Sequence, residues 1–396
     1  MISTKSLSTI NVNRILRTLW ESQTISRIDI ARTLDLSKST ITLIMTQLME
    51  RSIVVEKEIG QATGSGGRRP VGLGINGSYG AILGIEFQTD LARVVAISLD
   101  GAVVLREEEL LGIEPQQIST LLETTISRFR DRLRQSGWTV IAASLGVSGI
   151  IDPATRCIRT SNPLSIREPV FLDPDLDQRL GMPIFIDNDA KCCCWAQLAD
   201  RTAPQQRHFM YVLGEHRNLN VSSRKSRGLA IGMAFVIDGK VHYGHNFTSG
   251  EFSSAFKRDE NPTQFSVAHR SELDQPLDDP QIRQRLFQEL ADNIALVANL
   301  LNLESVGFAG DIVQYRDELA PVLRDSIRRN WSYPDQAQVE VSFTPFEEWA
   351  VAHGAAALVL EQLFVRASEG DEQARSLPAG IELFDIIEAF STQTVV

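Results

Sequence analysis

The sequence predicts a mixed α/β protein, in which a small, mainly helical N-terminal domain precedes a larger module of two α/β lobes. Three observations lead to this prediction. Residues 24–48 carry apolar side chains at helical spacing on both sides of a short break, whereas strands and helices alternate from residue 79 onward. Residues 1–70 hold ten Lys and Arg against six Asp and Glu, whereas the whole chain has a net charge of −11. A basic segment on an acidic protein indicates a local contact with a polyanion.

Residues 24–48, TISRIDIARTLDLSKSTITLIMTQL, are typical of two helices joined by a tight turn. Asp35, Leu36 and Ser37 interrupt the helical spacing, and the Ser37 hydroxyl can accept hydrogen bonds from free amides of the second helix. One stripe of that helix is apolar, and the opposite face has short polar groups with one cation and no carboxylate. A helix that enters the DNA major groove needs such a face. The residues of this segment predicted to contact DNA are Ser37, Lys38, Ser39, Thr42 and Thr46.

The flanking segments favour a winged helix over the alternative, an ordinary amphipathic helical hairpin. Residues 12–20 predict a helix upstream, and residues 52–59 predict a β-strand downstream. A glycine-rich loop follows the strand, and its Arg68 and Arg69 suit a narrow, electronegative minor groove. We therefore expect a winged helix-turn-helix DNA-binding domain over residues 1–75, in which the basic loop is a wing, a linker or both.

Composition argues against membrane and metal-binding classes. The sequence has no uninterrupted apolar run long enough to span a bilayer and no secretory leader, so we expect a cytoplasmic protein without membrane contact. Its four cysteines, Cys157 and the consecutive Cys192, Cys193 and Cys194, include no C-x-x-C pair. Consecutive residues on a helix point about 100° apart, so three of them cannot hold one metal ion. We expect small buried side chains and no metal site.

From residue 76 onward the predicted elements suggest two similar lobes around a cleft. The first lobe is expected to contain two strands within residues 79–98, a strand at 103–108, a helix at 118–133 and strands at 139–147 and 183–186. The second is expected to contain strands at 208–213, 228–237 and 305–308, and helices at 281–303 and 347–363. Residues 257–281 are polar, contain three prolines and predict a loop.

Seven stretches, in order along the chain, resemble the ROK family (repressor, open reading frame, kinase), in the branch that joins a winged helix to a sugar-kinase-like module. They are LGIEFQTD at 83–90, SLGVSGIID at 144–152, TSNPL at 160–164, GMPIFIDNDA at 181–190, VIDGKVHYGHNFTSGE at 236–251, LVANLLNLESVGFAGD at 296–311 and AHGAAAL at 352–358. The resemblance implies an actin/hexokinase-like (ribonuclease H-like) ROK module of two lobes over residues 76–396, a sugar-binding cleft, and a homodimer or homotetramer.

The resemblance also locates three nucleotide-binding segments, and all three depart from the family's kinases. The first is Asp followed by Gly-Gly-Thr in the family, and residues 86–90 are Glu-Phe-Gln-Thr-Asp here. The second begins at Gly214 and continues without Gly-x-Gly, and the third is Ala309-Gly310-Asp311. Phosphates are held by the backbone amides of glycine-rich loops and are repelled by an added carboxylate. We therefore expect no ATP binding, no cofactor and no sugar phosphorylation.

The sugar-binding positions are better retained. The resemblance implies contacts with sugar hydroxyl groups from Asn162, Asn188, Asp189 and Glu251, and Asp189 stands where the kinases place their catalytic base. Paired donors and acceptors of this kind suit a polyol. In the alternative, Asp189 caps its helix and Glu251 forms a salt bridge. The histidine of the family's Glu-x-Gly-His motif is Ser254 here, and the cysteine-rich zinc motif that follows it in the family is absent from the sequence.

These features predict a DNA-binding transcriptional regulator of carbohydrate-metabolism genes, acting as a repressor. Its ROK module would sense a sugar or a sugar phosphate and would have no enzymatic activity. Two alternatives stay open. One is an active sugar kinase with an accessory DNA-binding domain, and the other is a regulator whose module only dimerises and binds a protein partner. The expected partners are an operator in double-stranded DNA, a carbohydrate or sugar-phosphate effector, and further copies of the chain.

Overall fold

A computed structural model of the chain describes residues 4–58, 71–203, 205–221, 224–258, 263–266, 277–333, 338–364 and 377–393. In its N-terminal part, three helices precede a two-stranded antiparallel sheet. These elements are α1 (Thr4–Ser22), α2 (Arg27–Leu34), α3 (Lys38–Glu50), β1 (Val54–Glu58) and β2 (Val71–Ile75). Their order matches the predicted winged helix, although β2 was not expected. The wing arginines Arg68 and Arg69 lie outside the described residues.

A serine caps each of the two helices that form the helix-turn-helix. The Ser26 hydroxyl accepts a hydrogen bond from the Asp29 amide at 3.2 Å, and the Ser37 hydroxyl accepts one from the Thr40 amide at 3.1 Å. The predicted capping role of Ser37 is thus confirmed. Between the helices, Asp35 has a φ of 52°, in the left-handed region, and this residue ends α2.

Strands and helices alternate through the rest of the described chain. The strands are β3 (Ala81–Phe87), β4 (Leu91–Ser98), β5 (Val103–Leu110), β6 (Val140–Val147), β7 (Ile150–Asp152), β8 (Cys157–Thr160), β9 (Val170–Phe171), β10 (Ile184–Asn188), β11 (Phe209–Val221), β12 (Arg224–Ile237), β13 (Lys240–His242), β14 (Ser305–Ala309) and β15 (Glu340–Phe343). The helices are α4 (Ile118–Gln135), α5 (Leu176–Leu180), α6 (Asp189–Ala199), α7 (Pro280–Leu300), α8 (Arg316–Asn330), α9 (Ala350–Leu363) and α10 (Ile381–Gln393).

The two large sheets have the same internal arrangement. The first has the order β10-β6-β3-β4-β5, and the second has the order β15-β14-β11-β12-β13. In each, an antiparallel meander of three strands is extended by two strands that run parallel to its first strand. The predicted pair of similar α/β lobes is therefore confirmed. A three-stranded sheet, β7-β8-β9, is attached to the first lobe and was not predicted, because its strands are only two to four residues long.

Helices α6 and α9 lie between the two large sheets. α9 packs on β3, β4 and β6, α6 packs on β11 and β12, and the two helices pack on each other. Their approach is close, because a side-chain carbon added at Gly354 would lie 1.9 Å from the Cys192 carbonyl oxygen. Cys192, Cys193 and Cys194 are all buried and free, as expected from the sequence.

One apolar cluster joins the N-terminal domain to the first lobe and to the C-terminal helix. It contains Leu19 and Trp20 of α1 together with Leu383 and Phe384 of α10. Neither α8 nor α10 was predicted; α8 is highly charged and contains Pro321 in its interior. Across the described residues, no helix has both the length and the apolar character needed to cross a bilayer.

Candidate functional site

The outer face of α3 presents polar side chains to solvent. Its apolar stripe, in contrast, is buried in the domain core and consists of Ile41, Ile44, Met45 and Leu48. The predicted DNA-contacting residues are exposed, and they are Ser37, Lys38, Ser39, Thr42 and Thr46. The helix runs two residues beyond the predicted end, and its one carboxylate, Glu50, lies in the last turn.

The two threonines of this face use their hydroxyl protons within the helix. The Thr42 hydroxyl donates to the Lys38 carbonyl at 2.8 Å, and the Thr46 hydroxyl donates to the Thr42 carbonyl at 2.9 Å. Toward any molecule outside the helix, each threonine hydroxyl oxygen can therefore act only as a hydrogen-bond acceptor. Together with the Lys38 ammonium group, the face offers one cation and several small acceptors for the edges of bases.

Asn188 and Asp189 lie at the junction of β10 and α6. The Asn188 Oδ1 accepts from the Lys191 amide at 3.1 Å, so Asn188 is the N-cap of α6. Its Nδ2 donates to the Gly149 carbonyl and to Asp189 Oδ1, both at 2.9 Å. Asp189 Oδ1 also accepts from the Ala190 amide at 2.8 Å. The alternative in which Asp189 caps α6 is therefore wrong, since Asn188 makes the cap.

Asp189 and Glu251 approach the same point on β12. Gly232 of that strand forms an isolated backbone bridge with Glu251. A side-chain carbon at Gly232 would lie 3.4 Å from the Ala190 Cβ atom and 4.0 Å from Asp189 Oδ1, so Gly232 lies directly beside this carboxylate. Asp189 is 6% exposed, whereas Glu251 is exposed. Of the two carboxylates near Gly232, that of Asp189 is therefore buried and that of Glu251 lies at the surface.

Asn162 lies on the loop after β8 and is exposed. Its neighbour Ser161 is close to Gly149, because a side-chain carbon on Gly149 would lie 3.0 Å from the Ser161 Cα atom. Gly149 has a φ of 124°, and its carbonyl accepts the hydrogen bond from Asn188. The Asn162 loop is therefore tied to the start of α6 through Gly149.

A buried polar network supports these residues, and the sequence reasoning missed it. Asp187 Oδ2 accepts from the Tyr243 hydroxyl at 2.6 Å and from the Trp195 indole at 2.8 Å. Burial raises the pKa of Asp187 above its ordinary value. The buried Lys191 donates to the Ser249 carbonyl at 3.2 Å, which holds the chain two residues before Glu251. The signal in the sequence was the ionisable Asp187 and Lys191 on either side of the Asn-Asp pair.

Ser254, at the position of the family's histidine, is buried and serves the second lobe. Its hydroxyl accepts from Asn293 Nδ2 of α7 at 3.1 Å and from the Phe256 amide at 3.2 Å. Within the part of the chain that the structure describes, no group of three or more His, Cys, Asp and Glu side chains is arranged to hold a metal ion.

The three segments that depart from the kinases' nucleotide loops meet at one open cleft of about 310 Å³. Gly310, with a φ of 78°, is packed against Gly214, since a side-chain carbon there would lie 2.7 Å from the Gly214 carbonyl oxygen. The charged residues that line the cleft are five acids and one arginine, namely Glu86, Glu215, Asp311, Glu347, Glu348 and Arg93.

Gln88 bridges two of these acids across the boundary between the lobes. Its Nε2 donates to Glu86 Oε1 at 2.7 Å and to Glu215 Oε1 at 3.1 Å. Burial of Glu86, together with the nearby carboxylate of Glu215, raises the pKa of Glu86 to about 8. A polyphosphate entering this cleft would meet the acidic side chains of Glu215, Asp311, Glu347 and Glu348, while Glu86 is protonated at neutral pH.

Helix α1 is bound to the module by ionic and aromatic contacts. Arg17 forms an ion pair with Glu361 of α9 at 2.9 Å and donates to the Phe364 carbonyl at 3.2 Å. Trp20 stacks on Phe364, with 4.7 Å between the ring centroids. Arg201 lies two residues beyond α6. Its guanidinium carbon lies over the Trp20 ring, 4.2 Å from the ring centroid.

Arg201 also contacts the backbone of two elements. Its guanidinium donates to the Trp20 carbonyl at 3.4 Å and to the Asp100 carbonyl in the turn between β4 and β5. Burial lowers the pKa of Arg201. Helix α6 therefore begins at Asp189, after its cap Asn188, and is followed by Arg201, which contacts both α1 and the first lobe.

Comparisons with known proteins agree with the resemblance drawn from the sequence. The sequence model of the ROK family matches residues 82–263. The xylose repressor of Bacillus subtilis is 27% identical over 243 residues, which are 61% of this chain and 59% of that protein. The chain thus matches less than two thirds of the length of such curated relatives.

Two solved structures share the fold. A ROK family transcriptional regulator, a homologue of the E. coli MLC protein, has a TM-score of 0.73 at 19% identity and covers 96% of this chain and 99% of its own. A ROK family glucokinase from Streptomyces griseus, in complex with glucose and AMPPNP, has a TM-score of 0.52 at 14% identity. The match covers 70% of this chain and 99% of the glucokinase chain. The predicted fold is confirmed, and residues 82–263 form a ROK family domain.

Proposed function

We propose that the chain is a DNA-binding transcriptional repressor of carbohydrate-metabolism genes. Its ROK domain would sense a sugar or a sugar phosphate and would not phosphorylate it. The observation that carries the proposal is a direct structural connection. The helix-turn-helix with an exposed polar face on α3 shares its core with the module that holds Asn188 and Asp189. The xylose repressor of Bacillus subtilis, a relative of this chain, supports the same function.

Binding to DNA would use α3 in the major groove and the basic wing loop in the minor groove. Ser37, Lys38, Ser39, Thr42 and Thr46 are exposed together on α3, and Arg68 and Arg69 would add phosphate or minor-groove contacts. Residues 1–70 carry a net charge of +4 in a chain whose net charge is −11. The opposite charge of the remainder favours approach of the DNA to the N-terminal domain.

Effector binding would use the polyol-type residues Asn162, Asn188, Asp189 and Glu251. The approach of these residues supports this proposal, because Gly232 lies beside the Asp189 carboxylate and forms a backbone bridge with Glu251. A sugar held there would accept and donate hydrogen bonds at the start of α6 and at the exposed Glu251.

The proposed absence of kinase activity rests on the acidic cleft. The fold is shared with a ROK glucokinase, so the fold alone does not decide the question. The cleft has five acids and one arginine along its wall. Such a wall opposes the binding of a triphosphate, because the like charges of Glu215, Asp311, Glu347 and Glu348 repel it, whereas Glu86, with its raised pKa of about 8, adds no charge at neutral pH.

Coupling between the two sites would run along α6. Its eleven residues span about 16 Å at 1.5 Å per residue. A sugar that shifts Asn188 and Asp189 would therefore move Arg201, and Arg201 touches Trp20 of α1. In a homodimer or homotetramer, this movement would change the spacing of two helix-turn-helix units, and operators with two half-sites respond to that spacing.

The test is operator selection followed by titration. A random duplex pool is selected on the full chain, and the affinity for the winner is measured with and without xylose, glucose, N-acetylglucosamine and their phosphates. We expect one compound to change the affinity by about 5- to 150-fold, the usual range of allosteric coupling. Failure to select any duplex would refute the DNA-binding function. Selection without a response to any compound would instead favour a module that only dimerises.

A further inference from the structure

One large apolar side chain is exposed in the middle of the polar face of α3. Leu43 is 63% exposed, whereas the apolar stripe of the same helix is buried. It follows Thr42 directly and lies one turn from Ser39 and Gln47. Residues three and four apart on a helix are neighbours, with about 5–6 Å between their Cβ atoms. Leu43 therefore belongs to the same surface as the predicted base-contacting residues.

A DNA duplex bound to this face of α3 would have to contact Leu43. Its side chain is longer than those of Ser39 and Thr42, so a groove that brings base edges to these hydroxyl groups also brings them to Leu43. The Thr42 and Thr46 hydroxyl protons are used within the helix. These two side chains therefore present no free hydrogen-bond donor beside Leu43, and a base next to it can make an apolar contact instead.

The edges of the bases in the major groove offer one apolar group, the C5 methyl group of thymine. Apart from the smaller C5–H group of cytosine, the other positions are donors and acceptors, and covering one of them with a leucine removes its water without replacing the hydrogen bond. An exposed leucine in this groove therefore discriminates between bases by chemistry alone.

We propose that Leu43 is a specificity-determining residue of the DNA interface and selects a thymine in each operator half-site through its C5 methyl group. This inference rests on the proposed DNA-binding function and adds the base class that α3 reads.

The test replaces thymine by deoxyuridine, which lacks only the methyl group. Each thymine of the selected operator is exchanged in turn, and the Kd is measured for the full parent chain, for Leu43→Ala and for Ile28→Ala. Ile28 is a matched control, because it is 60% exposed but lies on α2, the helix that crosses the backbone in this docking mode. Both substitutions are at the surface, and thermal melting of the variants checks that the fold is kept.

For the parent, one position in each half-site should lose about fourfold in affinity, the equivalent of about 0.8 kcal/mol for one buried methyl group. Leu43→Ala should bind the thymine operator more weakly and should no longer distinguish thymine from uracil at that position. Ile28→Ala should keep the pattern of the parent.

Two results would overturn the inference while leaving the proposed function intact. Either the parent binds its operator specifically and no single thymine is methyl-sensitive, or Leu43→Ala keeps the sensitivity of the parent. If the parent selects no operator, the proposed function itself fails, and this inference fails with it.

Discussion

Arg17 and Glu361 are 344 residues apart in the sequence, and their side chains form an ion pair at 2.9 Å with exposed fractions of 9% and 11%. Arg17 belongs to the first helix of the helix-turn-helix domain, and Glu361 belongs to α9, which packs on the first lobe. The pair therefore fastens the part that would read DNA to the part that would bind a sugar.

Removing Arg17 should destabilise the protein strongly. Arg17→Met removes one side of the buried Arg17–Glu361 ion pair, and breaking a buried pair in this way costs about 3–5 kcal/mol in comparable cases. Urea denaturation measures this change in the free energy of unfolding. Arg32→Met is the matched control, because the Arg32–Asp29 pair is exposed and should contribute about 0–1 kcal/mol. Equal costs for the two variants would show that the pair does not fasten the domains.

Asp189→Asn should shift the response to higher concentrations of the effector and preserve binding to the operator. The amide keeps an oxygen that can accept from Ala190 and Asn188, so the fold should be retained. Losing the charged contact should reduce the affinity for the sugar by about 10- to 100-fold. This corresponds to about 1.5–3 kcal/mol, the contribution of a hydrogen bond to a charged group. Sugar-dependent melting and operator titration measure the change, with Asp317→Asn on the surface of α8 as control. A variant that responds like the parent would remove Asp189 from the proposed site.

The full chain should not turn over ATP in the presence of xylose, glucose or N-acetylglucosamine. The acids that line the cleft oppose a triphosphate, so ATP with Mg²⁺ should also leave the melting temperature unchanged. A coupled assay for ADP release measures turnover. Release of ADP that depends on sugar and disappears in Asp189→Asn would instead identify an active kinase.

Substitutions on the predicted DNA face should separate specificity from general affinity. Lys38→Ala should reduce the preference for the selected operator over an unrelated duplex. Arg68→Ala combined with Arg69→Ala should weaken both complexes and reduce the slope of log K against log salt by about 1.8, or about 0.9 for each lost phosphate contact. Fluorescence anisotropy at several salt concentrations measures both effects. If both variants bind like the parent, the assignment of α3 and the wing is wrong.

Glu86 should make the protein less stable as the pH rises. Its pKa is about 8 in the folded protein against 4.5 for an ordinary glutamate, so the native state holds more protons than the unfolded chain between these values. The stability that this group contributes is complete below about pH 4.5 and is lost as the pH rises through about 8.

Glu86→Gln imitates the protonated group, so its melting temperature should fall less than that of the parent between these pH values. Glu108→Gln is the control, because Arg93 approaches Glu86 at 3.5 Å and pairs with Glu108 at 3.0 Å, and the Glu108 side chain is 42% exposed. Parallel profiles for parent and Glu86→Gln would contradict the raised pKa.

Local features of the fold were predictable from the sequence because they depend on neighbours in the chain. Ser37 caps α3 through an amide three residues away, and central strands such as β3, β6 and β14 are short, continuous runs of mainly apolar residues that end at turn residues. The candidate sugar-binding residues came from the family resemblance, and the structure ties Asn162, Asn188, Asp189 and Glu251 to adjoining positions through Gly149 and Gly232. Their role as ligands stays a prediction.

Other features depend on partners far away in the chain. Gln88 and Glu215 are 127 residues apart, and nothing in the local pattern of either residue indicates the other. The same applies to Asp187, whose indole and phenol partners are set by how α6 and β13 meet. The alternative that placed the cap of α6 at Asp189 is wrong, because Asn188 makes the cap; Asn and Asp are both good capping residues, and spacing does not distinguish them.

Helix α10 has a consequence for how such proteins diversify. Leu383, Phe384 and Ile387 lie in the same apolar cluster as Ile15 and Leu19 of α1, and Arg51, which follows α3, pairs with Asp385 and Glu388. The helix-turn-helix unit and the helix that packs on it are therefore far apart in the sequence. Recombination that exchanges only the 5′ end of the gene would join a foreign α1 to the resident α10 and leave these contacts mismatched. If α3 reads the operator as proposed, new operator preferences should consequently arise by point substitution on α3, or by exchange of the segments that encode α1 and α10 together.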